Sequence, residues 1–381
     1  MDVSVIIVSF NVQYFIEQCL LSVIAASKNL KVEIIVVDNY SSDNTCSIIS
    51  EKYQEVNLIA NQENVGFTKA NNLAAKVANG KYLLILNPDT VIAEDCLEQL
   101  VALYNNRSNL GITGVKLIDG GGFYAPESKR GIPTPHATFN KLFGISSKRT
   151  GKYYATHLNE NESGIVDVLS GSFMFLKKSA FNEVKGFDES FFMYGEDIDL
   201  CYRMKLKGYQ NYYLASTSVI HYKGESTQKD IKYLKYFNGA MNIFYRKHFK
   251  LNLMYDFVMR IGIKFWFLLK YLKFKFKKDP STEIKKIQFF KKGEIVMFCL
   301  NKKFLLVNED EKISSIQKKI ADNGIDTIVF DNNTVLNKIV ISKIERLKNE
   351  GVSFKIRPRD TNFIIGSPCP KNKGEVKLIS L

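Results

Sequence analysis

The first ninety residues alternate between short β-branched apolar runs and stretches whose apolar positions recur at helical spacing. Val3–Val8, Val32–Val37, Val56–Ile59 and Tyr82–Leu86 read as strands, and Gln13–Ala26, Ser42–Lys52 and Thr68–Val77 as the helices between them. The strands are apolar along their length rather than alternating, which indicates a parallel sheet covered by helices on both faces. Ligands of such sheets bind at the carboxyl ends of the strands, in the loops that follow. The unusual polar residues fall there: Ser9 and Asn11, Asp38 and Asn39, Asn61 to Gly66, then Asn87 and Asp89.

Beyond this alternation the pattern changes three times. Gly111–Asn161 has weak periodicity, the cluster Gly120–Gly122, and Pro126, Pro133 and Pro135. It reads as a long, partly mobile loop of the kind that covers a substrate. Val166–Leu176, which contains LSGSFMFL, and Tyr212–His221 read as strands, and Phe181–Gly208 between them is dense in acids and aromatics. In Leu253–Lys278, Val258, Ile261, Phe265, Leu268, Leu272 and Phe276 recur at three- and four-residue steps, with Asp256, Arg260, Lys264 and Lys270 on the opposite arc. That is an amphipathic helix with a basic face; it either packs on the protein or lies on a membrane. Lys273, Lys275, Lys277 and Lys278 favour an anionic membrane surface.

From Ile284 to Leu381 a β/α alternation restarts. Ile295–Leu300, Phe304–Val307, Thr327–Phe330, Ser353–Ile356 and Asn362–Ile365 read as strands, and Ser314–Asp322 and Lys338–Asn349 as helices. The predicted organisation is thus a larger α/β unit over 1–245, a basic amphipathic linker over 246–283 and a small Rossmann-like α/β unit over 284–381.

Composition narrows the function classes. The 381 residues are 45% hydrophobic and 24% charged, enough for sizeable cores in two or three domains. The net charge is +14, yet through Tyr245 there are 24 Lys/Arg against 25 Asp/Glu. The excess lies after that point, with 10 against 3 in Arg246–Glu283 and 19 against 11 beyond, so the first two-thirds does not read as a nucleic-acid binder. Six scattered cysteines without a C-x-x-C pair argue against a zinc module or disulfide framework and suit a reducing cytosol. The N-terminus has no basic n-region or cleavage pattern, and no apolar run reaches the roughly 18 residues of a membrane-spanning helix.

Three carboxylate motifs carry the candidate chemistry. In VVDNYSSDNT, Asp38 ends a strand, where an acid either accepts hydrogen bonds from a ribose or base edge or simply shapes a turn. In LLILNPDT an apolar strand ends in Asn87-Pro88-Asp89, either an Asx-type turn or a hard oxygen ligand for a divalent cation bridging a diphosphate. In FFMYGEDIDLCYRMKLKGY, Glu196, Asp197 and Asp199 follow an aromatic run. Acids at a partly desolvated helix start suit a general base, and they also suit the first turn of any helix.

Together SVIIVSFN, VVDNYSSD, ENVGFTKANN, LLILNPDT, LSGSFMFLKKSAF, GFDESFFMYGEDIDLCYRMKLKGY and HYKGEST resemble, in family order, the family 2 glycosyltransferases, in particular their rhamnosyltransferase-like branch. The resemblance implies a GT-A fold, a mixed, mainly parallel α/β sheet. It also implies a nucleotide-diphosphosugar donor, a divalent cation (Mg²⁺ or Mn²⁺) and inversion at the anomeric carbon. By the same resemblance, Ser9, Asn11, Asp38, Asn39, Asn64, Gly66, Phe67, Asn71 and Asn87 would line the donor nucleotide pocket. Gly171, Ser172 and Arg203 would border donor sugar and acceptor. Asp197, with Glu196, would supply the base, and Asp89 and His221 would hold the metal. Asn-Pro-Asp carries one carboxylate where many relatives carry two, and Tyr40 follows Asp38-Asn39 where smaller or polar residues are usual.

The expected activity is transfer of a deoxyhexose such as rhamnose to a lipid-linked oligosaccharide, by an enzyme peripheral on the inner face of the cytoplasmic membrane. One alternative is a sugar nucleotidyltransferase, which would need a basic nucleotide-gripping loop that Ser9–Cys19 lacks. Another is a non-catalytic nucleotide-sugar-binding partner, against which the presence of both Asp89 and Asp197 argues. VSFKIRPRDTNFIIGSP resembles the nucleotide-binding-like region of polyprenyl-phosphate sugar-phosphotransferases without their catalytic segment, which implies a regulatory or docking module.

Overall fold

A computed structural model describes residues 1–134, 155–224, 231–249, 287–288, 304–367 and 374–380. The N-terminal unit contains β1 (Val3–Ser9), α1 (Gln13–Ala26), β2 (Val32–Asp38), α2 (Thr45–Lys52), β3 (Asn57–Ala60), α3 (Phe67–Val77), β4 (Tyr82–Leu86), β5 (Thr90–Val91) and α4 (Cys96–Asn106). It continues with β6 (Leu110–Ile118), β7 (Lys129–Arg130), β8 (Gly164–Ile165), β9 (Val168–Leu169), β10 (Phe173–Lys177), α5 (Lys178–Glu183), α6 (Glu196–Leu206), β11 (Gln210–His221) and α7 (Ile231–His248). The central sheet runs β3-β2-β1-β4-β10-β6-β11-β5, with β8 added on β11. β1 to β4 are mutually parallel, β10 is antiparallel between β4 and β6, and β6 and β11 are parallel.

Successive residues of β1 point to opposite faces, and both faces are buried. Val5 and Ile7 pack with Phe15, Ile16, Leu20 and Leu97 of α1 and α4, and Ile6 packs with Ala70, Ala74, Phe181 and Met204 of α3, α5 and α6. The helix-covered parallel strands predicted from the apolar runs are therefore present, within the mixed, mainly parallel sheet that the resemblance implies.

Two expectations are corrected. The stretch read as a substrate-covering loop contains β6, nine residues buried at every position between β10 and β11. Its glycines interrupt the apolar run in sequence without interrupting the strand; residues 135–154 of the same stretch lie outside the described residues. The single strand read at Val166–Leu176 is two. β9 pairs with β7, β10 pairs with β4, and a turn at Ser170–Ser172 separates them.

The C-terminal unit contains β12 (Ile287–Gln288), β13 (Phe304–Val307), α8 (Ile313–Asn323), β14 (Thr327–Asp331), α9 (Asn337–Leu347), β15 (Ser353–Arg357), β16 (Phe363–Gly366) and β17 (Glu375–Ser380). Its sheet runs β12-β17-β16-β15-β14-β13, with β13, β14 and β15 parallel. It docks on the N-terminal unit. The Glu94 carboxylate accepts the backbone N–H groups of Asn337 (2.7 Å) and Lys338 (2.9 Å), satisfying donors at the start of α9. Lys116 pairs with Glu345 at 2.8 Å, and Tyr14 meets Phe363 edge-on at 5.0 Å.

The cluster Gly120–Gly122 belongs to this contact rather than to a substrate cover. A Cβ on Gly120 would stand 2.1 Å from the Ser367 carbonyl oxygen. Gly122, at φ +86°, would place one 2.5 Å from the Ile344 carbonyl oxygen. Gly120→Val is expected to push the C-terminal unit off its seat; limited proteolysis of the full chain should then cut it faster than in wild type, and an unchanged digestion rate would refute the contact.

The helix that spans Tyr245 is α7. α7 continues to His248, and Lys247 and His248 both reach Asp199 of α6, at 2.9 and 2.6 Å. The basic amphipathic stretch Leu253–Lys278 and the strand predicted at Ile295–Leu300 lie outside the described residues. No helix among the described residues is long and apolar enough to cross a membrane.

Candidate active site

β1 and β2 run in register to the same end, where Ser9 stands opposite Asp38. Ser9 Oγ donates to Asp38 Oδ1 at 2.8 Å, while Ser41 donates its N–H to Oδ2 at 2.8 Å and its hydroxyl to Oδ1 at 2.6 Å. Asp38 is buried, and its carboxylate ties the two strand-end loops together. Asn11 Oδ1 accepts the Ser42 N–H at 2.7 Å across the same gap. Asn39 is buried beside it, donating to the Gly66 carbonyl at 3.2 Å and accepting from Asn61 at 2.9 Å.

The ENVGF loop meets the aromatic run that precedes α6. Asn64 Oδ1 accepts the Gly66 N–H at 3.0 Å, the Phe67 N–H donates to the Phe192 carbonyl at 2.9 Å, and Thr68 Oγ1 donates to the Phe191 carbonyl at 2.6 Å. Asn71 is buried one turn into α3, donating to the Phe67 carbonyl at 2.8 Å, with its Oδ1 unpartnered.

The β4 strand delivers Asn87 and Asp89, and antiparallel pairing of β5 with β11 sets His221 opposite Thr90. His221 Nε2 lies 3.4 Å from Asp89 Oδ1 and 3.5 Å from Asn87 Nδ2. All of His221 but 8% is buried, and its Nδ1 has no hydrogen-bond partner. No group of three or more His, Cys, Asp or Glu side chains is arranged to hold a metal ion among the described residues.

The Gly171–Ser172 turn links this corner to the acids of α6. The Ser172 carbonyl accepts the Asn87 N–H at 2.9 Å, and the Gly171 N–H donates to Asp197 Oδ2 at 3.3 Å. Arg130 donates from Nη2 to the same Asp197 oxygen, and the Ile198 N–H donates to Oδ1 at 2.8 Å. Glu196 is buried, with Oε2 unpartnered. Burial, and after it the charge of Asp197, push its carboxyl from the ordinary 4.5 up to about 8. The folded protein thus keeps a proton that the unfolded chain has released, and stability falls as pH rises from about 4.5 to about 8. Glu196→Gln is expected to flatten that fall, measured by urea unfolding across the same range.

Backbone strain gathers around these loops. Non-glycine residues with positive φ include Asn11 (52°) after β1, Tyr40 (69°) after β2, Tyr194 (69°) before α6 and Lys223 (60°) after β11. Such conformations cost of order 1–3 kcal/mol each and persist where the surrounding structure holds them.

The sequence model of the glycosyl transferase family 2 matches residues 4–185, and that described as the N-terminal domain of galactosyltransferase matches residues 164–226. Over 228 residues the chain is 30% identical to the rhamnosyltransferase WbbL of Escherichia coli, covering 58% of this chain and 83% of that one. This chain is a family 2 glycosyltransferase. Over 240 residues it is 28% identical to the N-acetylglucosaminyl-diphospho-decaprenol L-rhamnosyltransferase of Mycobacterium tuberculosis, covering 59% of this chain and 78% of that one. The solved structure of S. aureus TarS 1-349 with UDP-GlcNAc has a TM-score of 0.46 at 18% identity, covering 72% of this chain and 73% of that one.

Within the glycosyltransferase, one predicted residue stands apart. Arg203 is held by its own helix: Nε donates to Asp199 Oδ2 at 2.6 Å and Nη1 to the Val184 carbonyl at 2.5 Å. The i,i+4 spacing on α6 dictates this pair. Asp199 is wholly buried and also faces Lys247 and His248, so the third acid of the motif fastens α7 to α6. The arginine that does reach Asp197 is Arg130, which sequence reasoning missed. Its signal lies only in the pairing of β7 with β9, which sets Arg130 opposite Val168, three residues before Gly171.

Proposed function

We propose that the enzyme transfers a deoxyhexose such as rhamnose, with inversion, from a nucleotide-diphosphosugar to a hydroxyl of a lipid-linked saccharide. The supporting observation is the Gly171–Ser172 turn, whose backbone binds Asn87 on one side and Asp197 on the other. Donor diphosphate and proton acceptor thereby flank one two-residue turn, as a single displacement requires. Ser9, Asn11, Asp38, Asn39, Asn64, Gly66, Phe67 and Asn71 form the nucleoside side, Gly171 and Ser172 the sugar side.

In this reading Asp197 takes the proton of the acceptor hydroxyl as that oxygen attacks the anomeric carbon, and the carbon–oxygen bond to the diphosphate breaks with its electron pair on the diphosphate. A divalent cation fits beside Asp89 and His221. The buried Asp89 carboxylate and His221 Nε2, 3.4 Å apart, are the protein groups that would hold it, the carboxylate supplying the hard oxygen such a cation favours. When bound, such a cation stabilises charge on the leaving diphosphate. The rhamnosyltransferase relatives, one of them named for N-acetylglucosaminyl-diphospho-decaprenol, support the sugar and the lipid-linked acceptor. The basic amphipathic stretch Leu253–Lys278 supports a seat on the inner face of the cytoplasmic membrane, close to that acceptor.

The test is a panel of nucleotide-sugars, each with N-acetylglucosaminyl-diphospho-decaprenol and Mg²⁺ or Mn²⁺, read by mass spectrometry of the lipid product. A deoxyhexosyl lipid is expected from a nucleotide-deoxyhexose; a product only from another sugar or acceptor would overturn the assignment.

A further inference from the structure

We propose that Arg130 is a positioning residue of the transfer reaction, holding the Asp197 carboxylate in place for the acceptor hydroxyl through its hydrogen bond to Oδ2. The proposal rests on the reading of Asp197 as the base.

Two adjacent carboxyls open α6 in a largely buried setting, and two such groups do not both ionise without a cation beside them. Asp197 is surrounded by N–H donors: Arg130 Nη2 and the Gly171 N–H on Oδ2, and the Ile198 N–H on Oδ1. That set suits a charged acceptor and fixes both oxygens. Glu196 has the opposite surroundings. Its side chain lies under Gly171, with Oε1 3.4 Å from where a Cβ there would stand, and Oε2 meets no donor. Burial and the Asp197 charge keep its proton on at neutral pH.

Other charged and titratable groups near the pair leave this division to Arg130. Asp199, on the same helix, is paired with Arg203 and with Lys247 of α7, and also meets His248 at 2.6 Å. The Cys201 thiol is pushed up to about 12, chiefly by burial, and stays neutral. Arg130 itself is well placed to act on geometry. β7 pairs with β9, the guanidinium also reaches the Leu169 carbonyl at 3.4 Å, and β9 leads directly into the Gly171–Ser172 turn. Cation, turn and carboxylate are therefore held by one short hairpin-like pairing. During transfer the hydroxyl proton passes to Asp197 and Glu196 neither gains nor loses one.

The experiment compares Arg130→Gln and Arg130→Lys with wild type by two readouts. Carbon-13 spectra of protein labelled at aspartate and glutamate carboxyls need no substrate; Asp197→Asn and Glu196→Gln assign the two signals. In Arg130→Gln the Asp197 signal is expected to titrate at higher pH than in wild type. In turnover assays with the donor and acceptor above, the acid limb of the kcat profile should move up by about one to three pH units, the range an opposite charge at contact commands. Arg130→Lys, which keeps charge but not the planar fork, should restore the limb while kcat stays below wild type. A merely structural arginine would lower the folded fraction and leave kcat of the folded Arg130→Gln fraction, and its acid limb, where they were. Unmoved titrations in folded Arg130→Gln would overturn the proposal. Wild-type turnover in Asp197→Asn would instead remove Asp197 as the base, whatever Arg130 does.

Discussion

Asp197→Asn is expected to lower transfer by about 10²–10⁴-fold, the contribution of a positioned general base, and to leave nucleotide-sugar binding within about twofold. The asparagine keeps the size of the side chain, and its oxygen can still accept the Gly171 or Ile198 N–H, so the turn beside Asn87 stays in place. What is lost is the ability to take a proton. Binding should survive because the residues proposed for the nucleoside side lie at the ends of β1 and β2 and at the start of α3, none of which carries Asp197. Single-turnover rates at saturating donor and acceptor, set against donor affinity by calorimetry, separate the two effects. A rate near wild type with a folded variant would exclude Asp197; a matched loss of rate and affinity would mean that it binds rather than reacts.

The contrast with the other acids of the motif sharpens this expectation. The sequence places Glu196, Asp197 and Asp199 within four positions at a helix start, and helical geometry then sends them to three environments. Glu196 goes into a buried pocket under Gly171, Asp197 to the turn that touches Asn87, and Asp199 back toward Arg203 and α7. Only the middle one is both hydrogen-bonded as a charged group and partly open, with its side chain 13% exposed.

Elements whose signal is local were legible. Gln13–Ala26 and Tyr82–Leu86 have the predicted ends because a helical period and an unbroken apolar run are properties of the segment itself. The placing of Ser9, Asp38, Asn87 and Asp89 at strand ends followed from the parallel sheet, since such a sheet puts its loops at one edge. Features that depend on distant partners were not. Nothing in KRGI shows that Arg130 meets Asp197, 67 residues later. Nothing in GGGF shows that a second unit seats its Ser367 and Ile344 carbonyls there. β6 was hidden for a related reason: two glycines weaken its apolar pattern, and its burial comes from β10 and β11, which follow it in the chain. The Arg203 pair, by contrast, is a local one. The resemblance set Arg203 beside donor sugar and acceptor, and four residues along its helix it also meets Asp199.

Asp89→Ala is expected to remove most of the cation-dependent part of donor binding. Loss of a group that merely orients a metal ligand costs about 10–100-fold in metal affinity, so loss of the ligand itself should reach the top of that range or exceed it. The single carboxylate of Asn87-Pro88-Asp89 makes the effect larger than in a site with two acids, because Asn87 contributes at most a neutral oxygen and its amide nitrogen already faces His221 at 3.5 Å. Asp89 is buried, and its backbone carbonyl accepts the Tyr222 N–H at 3.0 Å, a bond that alanine preserves. The strand end should therefore hold its shape while losing its charge. Titration of the nucleotide-sugar with Mn²⁺ and again with chelator separates the two outcomes. Wild type should bind far more tightly with the cation, and Asp89→Ala should bind about equally in both. His221→Ala should fall between, because a neutral imidazole adds less attraction for a hard cation than a carboxylate does. If Asp89→Ala kept the full cation dependence, the metal would have to sit elsewhere, and the corner formed by β4, β5 and β11 would be left with a structural role.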